Sequence, residues 1–464
     1  MNKSKYEKII KFLTKSEYSF SKEKIKKHCI DWREEFKGTS DLILFPKTVK
    51  KISDIVKVCN KERIAIVPQG GNTGLVGGSV PRKNRNEIIL NLCNLNHIRE
   101  VDSVGYTVTV ESGCILENIK NKLYEKKLEF PLSMGSKGNC QIGGNIATNA
   151  GGVNVIKYGT FRHNILGLEA VLPDGSVFNS LKKVKKNNTG VDLKQLLIGT
   201  EGILGIVTAA TIKIYPLPKE KIVLWCSFSN FSDVLYFYRQ IITKFYGLIT
   251  SFEFMNKESI EILEKNEIKF DKLKKGECYC LVEISNFNNL EKFSNFIVSK
   301  IPLEDINTED LIISKSESEN KKLWKYRESI PLAEKKERFI VPHDISIPLV
   351  NIDSFVKQTS KNLKKLSNSI KIINFGHLGD NNLHFNVLIS QKQKYEKRQV
   401  IRMVNKIVYD GVNLFGGSIS AEHGIGQLRR KELKNHKKKD EIRKMQDIKK
   451  IFDPNNILNP GKVI

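Results

Sequence analysis

Three glycine-rich segments in the first half of the chain constrain its fold more than any other feature. Residues 68–81 read PQGGNTGLVGGSVP, residues 135–152 read GSKGNCQIGGNIATNAGG, and residues 199–205 read GTEGILG. Glycine leaves backbone N–H groups unobstructed, and runs of such groups form concave nests that suit anions. A single loop of this kind is explained equally well by a tight turn. Two so close together, with a third downstream, point to a large phosphate-bearing ligand lying across several backbone segments. The first segment does not match GxGxxG and no GxxxxGK[ST] occurs, so neither the Rossmann fingerprint nor a P-loop is expected.

Composition excludes several classes. The 464 residues are 40% hydrophobic and 28% charged, which rules out disordered, collagenous and disulfide-scaffold chains. No apolar run approaches the roughly 20 residues of a membrane helix. The N-terminal MNKSKYEKIIKFLTKSEY has no secretory apolar core. A cytoplasmic location without a transmembrane segment is expected. The eight cysteines form no CxxC pair and are expected as thiols. The net charge of +26 raises a non-enzyme alternative, a basic nucleic-acid-binding protein. Acids interleave with the bases throughout, no zinc-finger or RNP-like pattern accompanies them, and the glycine loops have no role in it. No nucleic-acid partner is therefore expected.

Along the chain, residues 1–35 read as N-terminal helices. From Asp41 a strand, a helix and a strand lead into the first glycine loop. Pro216 and Pro218 mark a boundary, after which glycine thins out. Strands such as IVLWCSFS, ECYCLVEIS, IKIINFGHL and LHFNVLIS then alternate with helical stretches, which predicts a mixed or antiparallel sheet with helices on one face.

The segment GHLGDNNLHFNV carries the clearest chemistry. Gly379, Asp380, Asn381 and Asn382 are turn formers between two strand-like runs. With those four as the loop, His377 pairs with His384 on one sheet face. Opposed side chains have Cβ atoms about 4.5–5.5 Å apart, close enough for two imidazoles to share one divalent metal. Glu422, in SAEHGIG, is the candidate third ligand, completing the N2O set of a catalytic site with open positions. The adjacent His423 then serves as a base. A cross-strand histidine pair with an unrelated Glu-His turn is the alternative.

These segments together resemble a known family. The three glycine loops look like the FAD-binding loops of the vanillyl-alcohol oxidase / p-cresol methylhydroxylase superfamily. GHLGDNNLHFNV, SISAEHGIG and FDPNNILNPGK look like its FAD-linked oxidase C-terminal domain. Within it the chain resembles the branch of D-2-hydroxyglutarate and D-lactate dehydrogenases and the glycolate oxidase flavoprotein subunit. The resemblance implies an α+β fold: a two-part PCMH-type FAD-binding domain at 36–218, a substrate or cap domain at 219–424, and a segment at 425–464 returning to the FAD domain. It implies non-covalent FAD; His163, after the second loop, is expected to be a structural hydrogen-bonding residue. It implies cofactor contacts from Pro68, Gln69, Gly70, Gly71, Asn72, Thr73, Gly74, Gly77 and Gly78 on the first loop. The second loop would add Met134, Gly135, Gly138, Gly143, Gly144, Asn145, Thr148 and Gly152, and further contacts would come from Glu201, Gly202, Ile206 and Asn459.

The same resemblance implies the reaction, oxidation of a D-2-hydroxy acid to the 2-oxo acid. A metal on His377, His384 and Glu422, zinc first with manganese or iron as alternatives, would bind the substrate hydroxyl. His423 would take the proton, Arg327 would grip the carboxylate, and Asn386 would be a nearby polar contact. An electron-transfer flavoprotein or a quinone would accept the electrons, and a homodimer is expected. An oxygen-using FAD oxidase of another alcohol or hydroxy acid is the enzymatic alternative. One departure bears on the substrate. Pro331 and Pro342 stand where the hydroxyglutarate enzymes carry a Thr and a Lys for the distal part of the substrate.

Overall fold

Ile52, Ile55, Val56 and Cys59 recur at helical spacing, and the helix Val49–Glu62 buries all four. Thr48 caps its start by accepting a hydrogen bond from the Lys51 N–H, and Arg63 ends it in the left-handed region at φ 53°. The computed structural model describes residues 3–268, 276–287, 292–301, 311–337, 339–389 and 396–464. The beginning of one of the expected helical stretches, NLEKFSNFIVSK from Asn289, lies outside them.

The chain divides into two compact units. The first holds Met1–Gly151, Gly159–Pro216 and Glu422–Ile464, and the second holds Gly152–Tyr158 and Leu217–Ala421. This differs from the expected division in three places. The N-terminal residues form no domain of their own, because helices this short cannot build a core alone. Instead Tyr6 and Ile9 are buried in one cluster with Ile52, Ile66 and Leu90. Gly152–Tyr158 belongs to the second unit. Glu422 and His423 fall at the start of the first unit's last segment, not at the end of the cap.

In the first unit, Val49–Glu62 connects two strands of a four-stranded sheet ordered Tyr18–Ser19, Ile43–Leu44, Glu87–Asn91, Ala65–Gln69. The last three run parallel. Glu87–Asn91 is buried along its whole length, as expected of a central parallel strand. A second, antiparallel sheet orders Ile98–Asp102, Thr107–Glu111, Ile206–Lys213, Ile165–Val171 and Val177–Ser180. The first glycine segment leaves the end of Ala65–Gln69, and the third leads into Ile206–Lys213.

The second unit is built on an eight-stranded sheet. Its order is Leu311–Ile313, Glu220–Phe228, Cys278–Asn286, Ile249–Asn256, Ile370–His377, Asn382–Ile389, Ile340–Val341, with Asp344–Ser346 also paired to Asn382–Ile389. Helices cover both faces, not one. Leu323, Tyr326, Ile330 and Ala333 of the helix Glu317–Lys335 pack with Met255, Ile373 and Phe375. On the opposite face Phe355 of the helix Ile352–Lys364 meets Phe385 at 5.3 Å, and Phe237 of the helix Phe231–Lys244 meets Phe252 at 6.0 Å. The strand Cys278–Asn286 is buried at every position, which a one-sided sheet would not allow.

Candidate active site

The first unit brings the two large glycine loops against one another. A Cβ on Gly71 would overlap the Asn139 carbonyl, and one on Gly143 would come within 2.6 Å of Ser112 Cβ. At these positions glycine is required by close packing. Gly74, Gly135 and Gly144 differ, since a Cβ there meets nothing within 4 Å. Around this opening, Ser112 Oγ, Gln141 Oε1 and Asn145 Oδ1 are buried and have no hydrogen-bond partner. Orphaned buried polar atoms beside glycines that face empty space are what a bound polar cofactor would satisfy. Neither Ser112 nor Gln141 was legible as a site residue. Ser112 follows the strand Thr107–Glu111 in an ordinary strand-end context, and Gln141, although inside the second glycine segment, is the residue before the helix Ile142–Ala147 and carries no local signal that sets it apart.

Several expected cofactor residues turn out to hold the loops. The Gln69 side chain bonds His28 and the Ser79 carbonyl, and Asn72 bonds the Ile30 carbonyl and the Ser79 hydroxyl. What these two offer a ligand is backbone. Thr148 Oγ1 donates back to the Gly144 carbonyl. Met134 Sδ lies 3.3 Å from Asn145 Nδ2. A Cβ on Gly77 would strike the Phe36 ring, and Gly202 packs on Pro68, whereas a Cβ on Gly138 would only touch Glu117. Ile206 sits in the apolar core at 1% exposure, and Gly152 begins a segment grouped with the second unit. His163 is exposed and bonds Thr160. Pro68 stays in the strand Ala65–Gln69, and Thr73 lies in the loop that follows it.

Glu201 takes a different part from the one expected. Its carboxylate accepts from the N–H groups of Ile425 and Gly426 at 2.7 and 2.9 Å. Burial raises this carboxyl above its usual range, against the pull of those two N–H donors. Gln427 donates to the Gly77 and Val80 carbonyls, and Asn459 Nδ2 donates to the Gly78 and Glu201 carbonyls. The turn that follows His423 is thus stitched to the first and third glycine segments. Asn459 Oδ1 stays buried and unpartnered.

In the second unit the histidines lie on one sheet face, in a register two residues from that expected. Phe375, not His377, pairs with His384, and His377 pairs on its other side with Glu253. The hairpin closes through a helical turn at Leu378–Asp380 and a left-handed Asn381, which uses more residues than a tight loop. A slip of two preserves the face. The imidazoles of His377 and His384 therefore meet diagonally, with centroids 5.6 Å apart.

Glu253 organises this face. Its buried carboxylate lies 2.8 Å from His377 Nδ1 and 2.8 Å from Arg327 Nη2, and accepts from Ser251. Burial alone would raise the Glu253 carboxyl, but His377 and Arg327 outweigh it and hold the group below its usual range. The Arg327 guanidinium lies over the Phe375 ring at 4.7 Å, and its buried Nε has no partner. Asp344 stands 3.8 Å from His384 Nδ1. The Asn386 amide is engaged at both ends, donating to Glu334 at 2.8 Å and accepting from the His343 N–H at 3.1 Å. Asn386 thus stands on the histidine face with its amide held by these two neighbours.

This arrangement offers a glycine cradle in one unit and an acid-braced histidine pair beside a buried arginine in the other. Residues 217–463 match the family described as FAD linked oxidases, C-terminal domain, and residues 40–180 match an FAD binding domain. The chain is 35% identical over 447 residues to a mitochondrial D-2-hydroxyglutarate dehydrogenase of Danio rerio, covering 95% of this chain and 81% of that one. It is 35% identical to a D-2-hydroxyglutarate–pyruvate transhydrogenase of Saccharomyces cerevisiae, covering 94% and 88%. In fold it resembles p-cresol methylhydroxylase with a TM-score of 0.77, at 16% identity and covering 99% and 96% of the two chains.

Proposed function

The chain belongs to the FAD-linked oxidase family, and on that premise we propose that it is an FAD-dependent dehydrogenase converting a D-2-hydroxy acid to the 2-oxo acid. The observation that carries this reading is the Glu253 carboxylate shared by His377 and Arg327 on the face that also holds His384.

The residues fit both implied groups. Gly74, Gly135 and Gly144 leave room for the cofactor, Gly71 and Gly143 let the two loops approach closely beside it, and the orphaned Ser112, Gln141, Asn145 and Asn459 oxygens await polar partners. FAD, when bound, supplies the two-electron acceptor that a dehydrogenase needs. His377 presents its Nδ1 to a carboxylate, the tautomer in which Nε2 is the ligand nitrogen. We assign His377, His384 and Glu422 as holders of a divalent cation, zinc first. Glu422 follows Ala421, whose N–H is bonded to the carbonyl of Asp344, the strand partner of His384. The cation supplies Lewis acidity toward the substrate hydroxyl.

The chain's own groups do the rest. Arg327 fixes the substrate carboxylate, its guanidinium held flat by Phe375 and Glu253. His423 receives the hydroxyl proton, on a turn anchored by Glu201. Pro331 cannot supply a side-chain hydrogen bond, and neither can Pro342. This favours a substrate without a second carboxylate, lactate before 2-hydroxyglutarate.

Among the described residues no helix is long and apolar enough to cross a membrane. The cytoplasmic location is not supported, since relatives are named mitochondrial. An electron-transfer flavoprotein or quinone as acceptor, and a homodimer, remain part of this proposal. The test is anaerobic bleaching of the flavin by a panel of D-2-hydroxy acids, with FAD and metal supplied. Absence of bleaching by every member defeats the reading. His423→Ala is expected to keep FAD and lose bleaching.

A further inference from the structure

Beside the third glycine segment, from which it takes Ile203, the first unit holds a cavity of about 490 Å³ whose walls are strongly basic. Arg82, Arg430, Lys434, Lys449, Lys450 and Lys462 line it, against one acidic side chain, Asp453. Asp453 is already engaged by Lys449 and by the N–H groups of Ile457 and Leu458. Lys449 is also engaged, donating to the Ile203 and Leu458 carbonyls. The other five cations set the character of the site.

Glu87 is the carboxylate behind two of them. Arg82 Nε donates to it at 2.5 Å, and Lys462 Nζ lies 3.4 Å from its other oxygen. Lys462 has no exposed side-chain surface. Burial, with the charges of Arg82 and Arg430, outweighs Glu87 and pushes its ammonium down to about 8. Arg430 donates to the Ile464 carbonyl, while its buried Nε has no partner. Gly461, at φ +75°, admits the Arg82 guanidinium, whose Nη1 lies 2.5 Å from where a Cβ would stand. A side chain there would displace the arginine from the wall.

Arg82 and Lys462 thus share one carboxylate, with the charge of Arg430 close to both, in a place partly removed from water. Burying like charges together is costly unless a counter-charge joins them. We propose that this cavity binds a phosphate-bearing small molecule, held by Arg82, Arg430 and Lys462 with the exposed Lys434 and Lys450 contributing. Guanidinium forks match tetrahedral phosphate oxygens. The volume falls in the range of about 300–1,000 Å³ typical of small-molecule sites, larger than a bare ion needs. The cavity shares Asn459 with the cofactor loops, since that residue donates to the Gly78 and Glu201 carbonyls. Occupancy is therefore expected to be felt in the flavin's surroundings.

The test uses the FAD-loaded protein in a phosphate-free buffer, with inorganic phosphate and adenosine diphosphate titrated separately and sodium chloride at matched ionic strength as control. Saturable binding by calorimetry, and a rise in melting temperature that chloride does not reproduce, are expected. A stronger response to the nucleotide identifies an organic phosphate as the natural source, and an equal one identifies the phosphate group alone. Arg430→Gln with Lys434→Gln should weaken binding at least tenfold and leave FAD content unchanged. Lys434→Glu, an exposed change that spares the fold, should weaken it severalfold by itself. The proposal is overturned by absence of saturable binding, by an equal effect of chloride, by binding unchanged in both variants, or by phosphate that binds only in place of FAD.

Discussion

The carboxylate of Glu253 stands 2.8 Å from Nδ1 of His377, a residue 124 positions later in the chain. The same carboxylate pairs with Arg327, so one buried acid orients two groups of the proposed site. Glu253→Gln keeps the shape and removes the charge. Metal affinity is expected to fall about 10- to 100-fold, as for loss of a carboxylate behind a ligating histidine. Stability should fall by about 3–5 kcal/mol, because Arg327 stays buried without its counter-charge. Metal content by elemental analysis and urea denaturation check the two parts, and unaltered metal binding removes Glu253 from the site.

Arg327→Lys is expected to act on substrate binding. A lysine keeps the charge but loses the planar fork and the stacking on Phe375. The apparent KM for a D-2-hydroxy acid should rise about 10- to 100-fold, the equivalent of roughly 1.5–3 kcal/mol for a charge-assisted pair. Stopped-flow flavin reduction separates this from kcat. An unchanged KM would assign Arg327 to the fold alone.

Two glycines of the cradle should part company. Gly71→Ala collides with the Asn139 carbonyl and is expected to destabilise the loop pair whether or not cofactor is present. Gly144→Ala meets no protein atom and lies in the helix Ile142–Ala147, where alanine is favoured by about 0.5–1 kcal/mol. The apo-protein should melt no lower than the parent, yet flavin binding should fall. A Gly144→Ala protein with full FAD content would show that the opening beside this residue is not cofactor space.

Glu17 gives a pH prediction. Burial raises its carboxyl, but hydrogen bonds from Lys51, Thr14 and the Lys47 N–H outweigh this and lower it to about 2. A carboxyl lowered in the folded state adds stability above its unfolded value, and that stability is lost as pH falls through the folded one. Glu17→Gln should therefore cost about 2 kcal/mol at pH 7. The cost should shrink below pH 4.5 and vanish toward pH 2. Denaturant midpoints across that range check it, and a pH-independent difference would refute it.

What depends on neighbours in the chain was legible in the residues alone. The glycine runs, the helix period at Ile52, Ile55, Val56 and Cys59, and the strand alternation that puts His377 and His384 on one face are all local. Alternation has a period of two, so the face survived even though the pairing differed by two residues. Tertiary structure decided the rest. Which strand lies beside Ile370–His377 is a matter of sheet order, and that order brings Glu253 to His377. That both sheet faces are covered, that Ile206 is core and that Glu201 holds the Ile425 turn follow from packing between segments far apart in sequence. Such contacts are chosen by the burial and hydrogen-bond satisfaction of the whole unit, and no short window of residues records them.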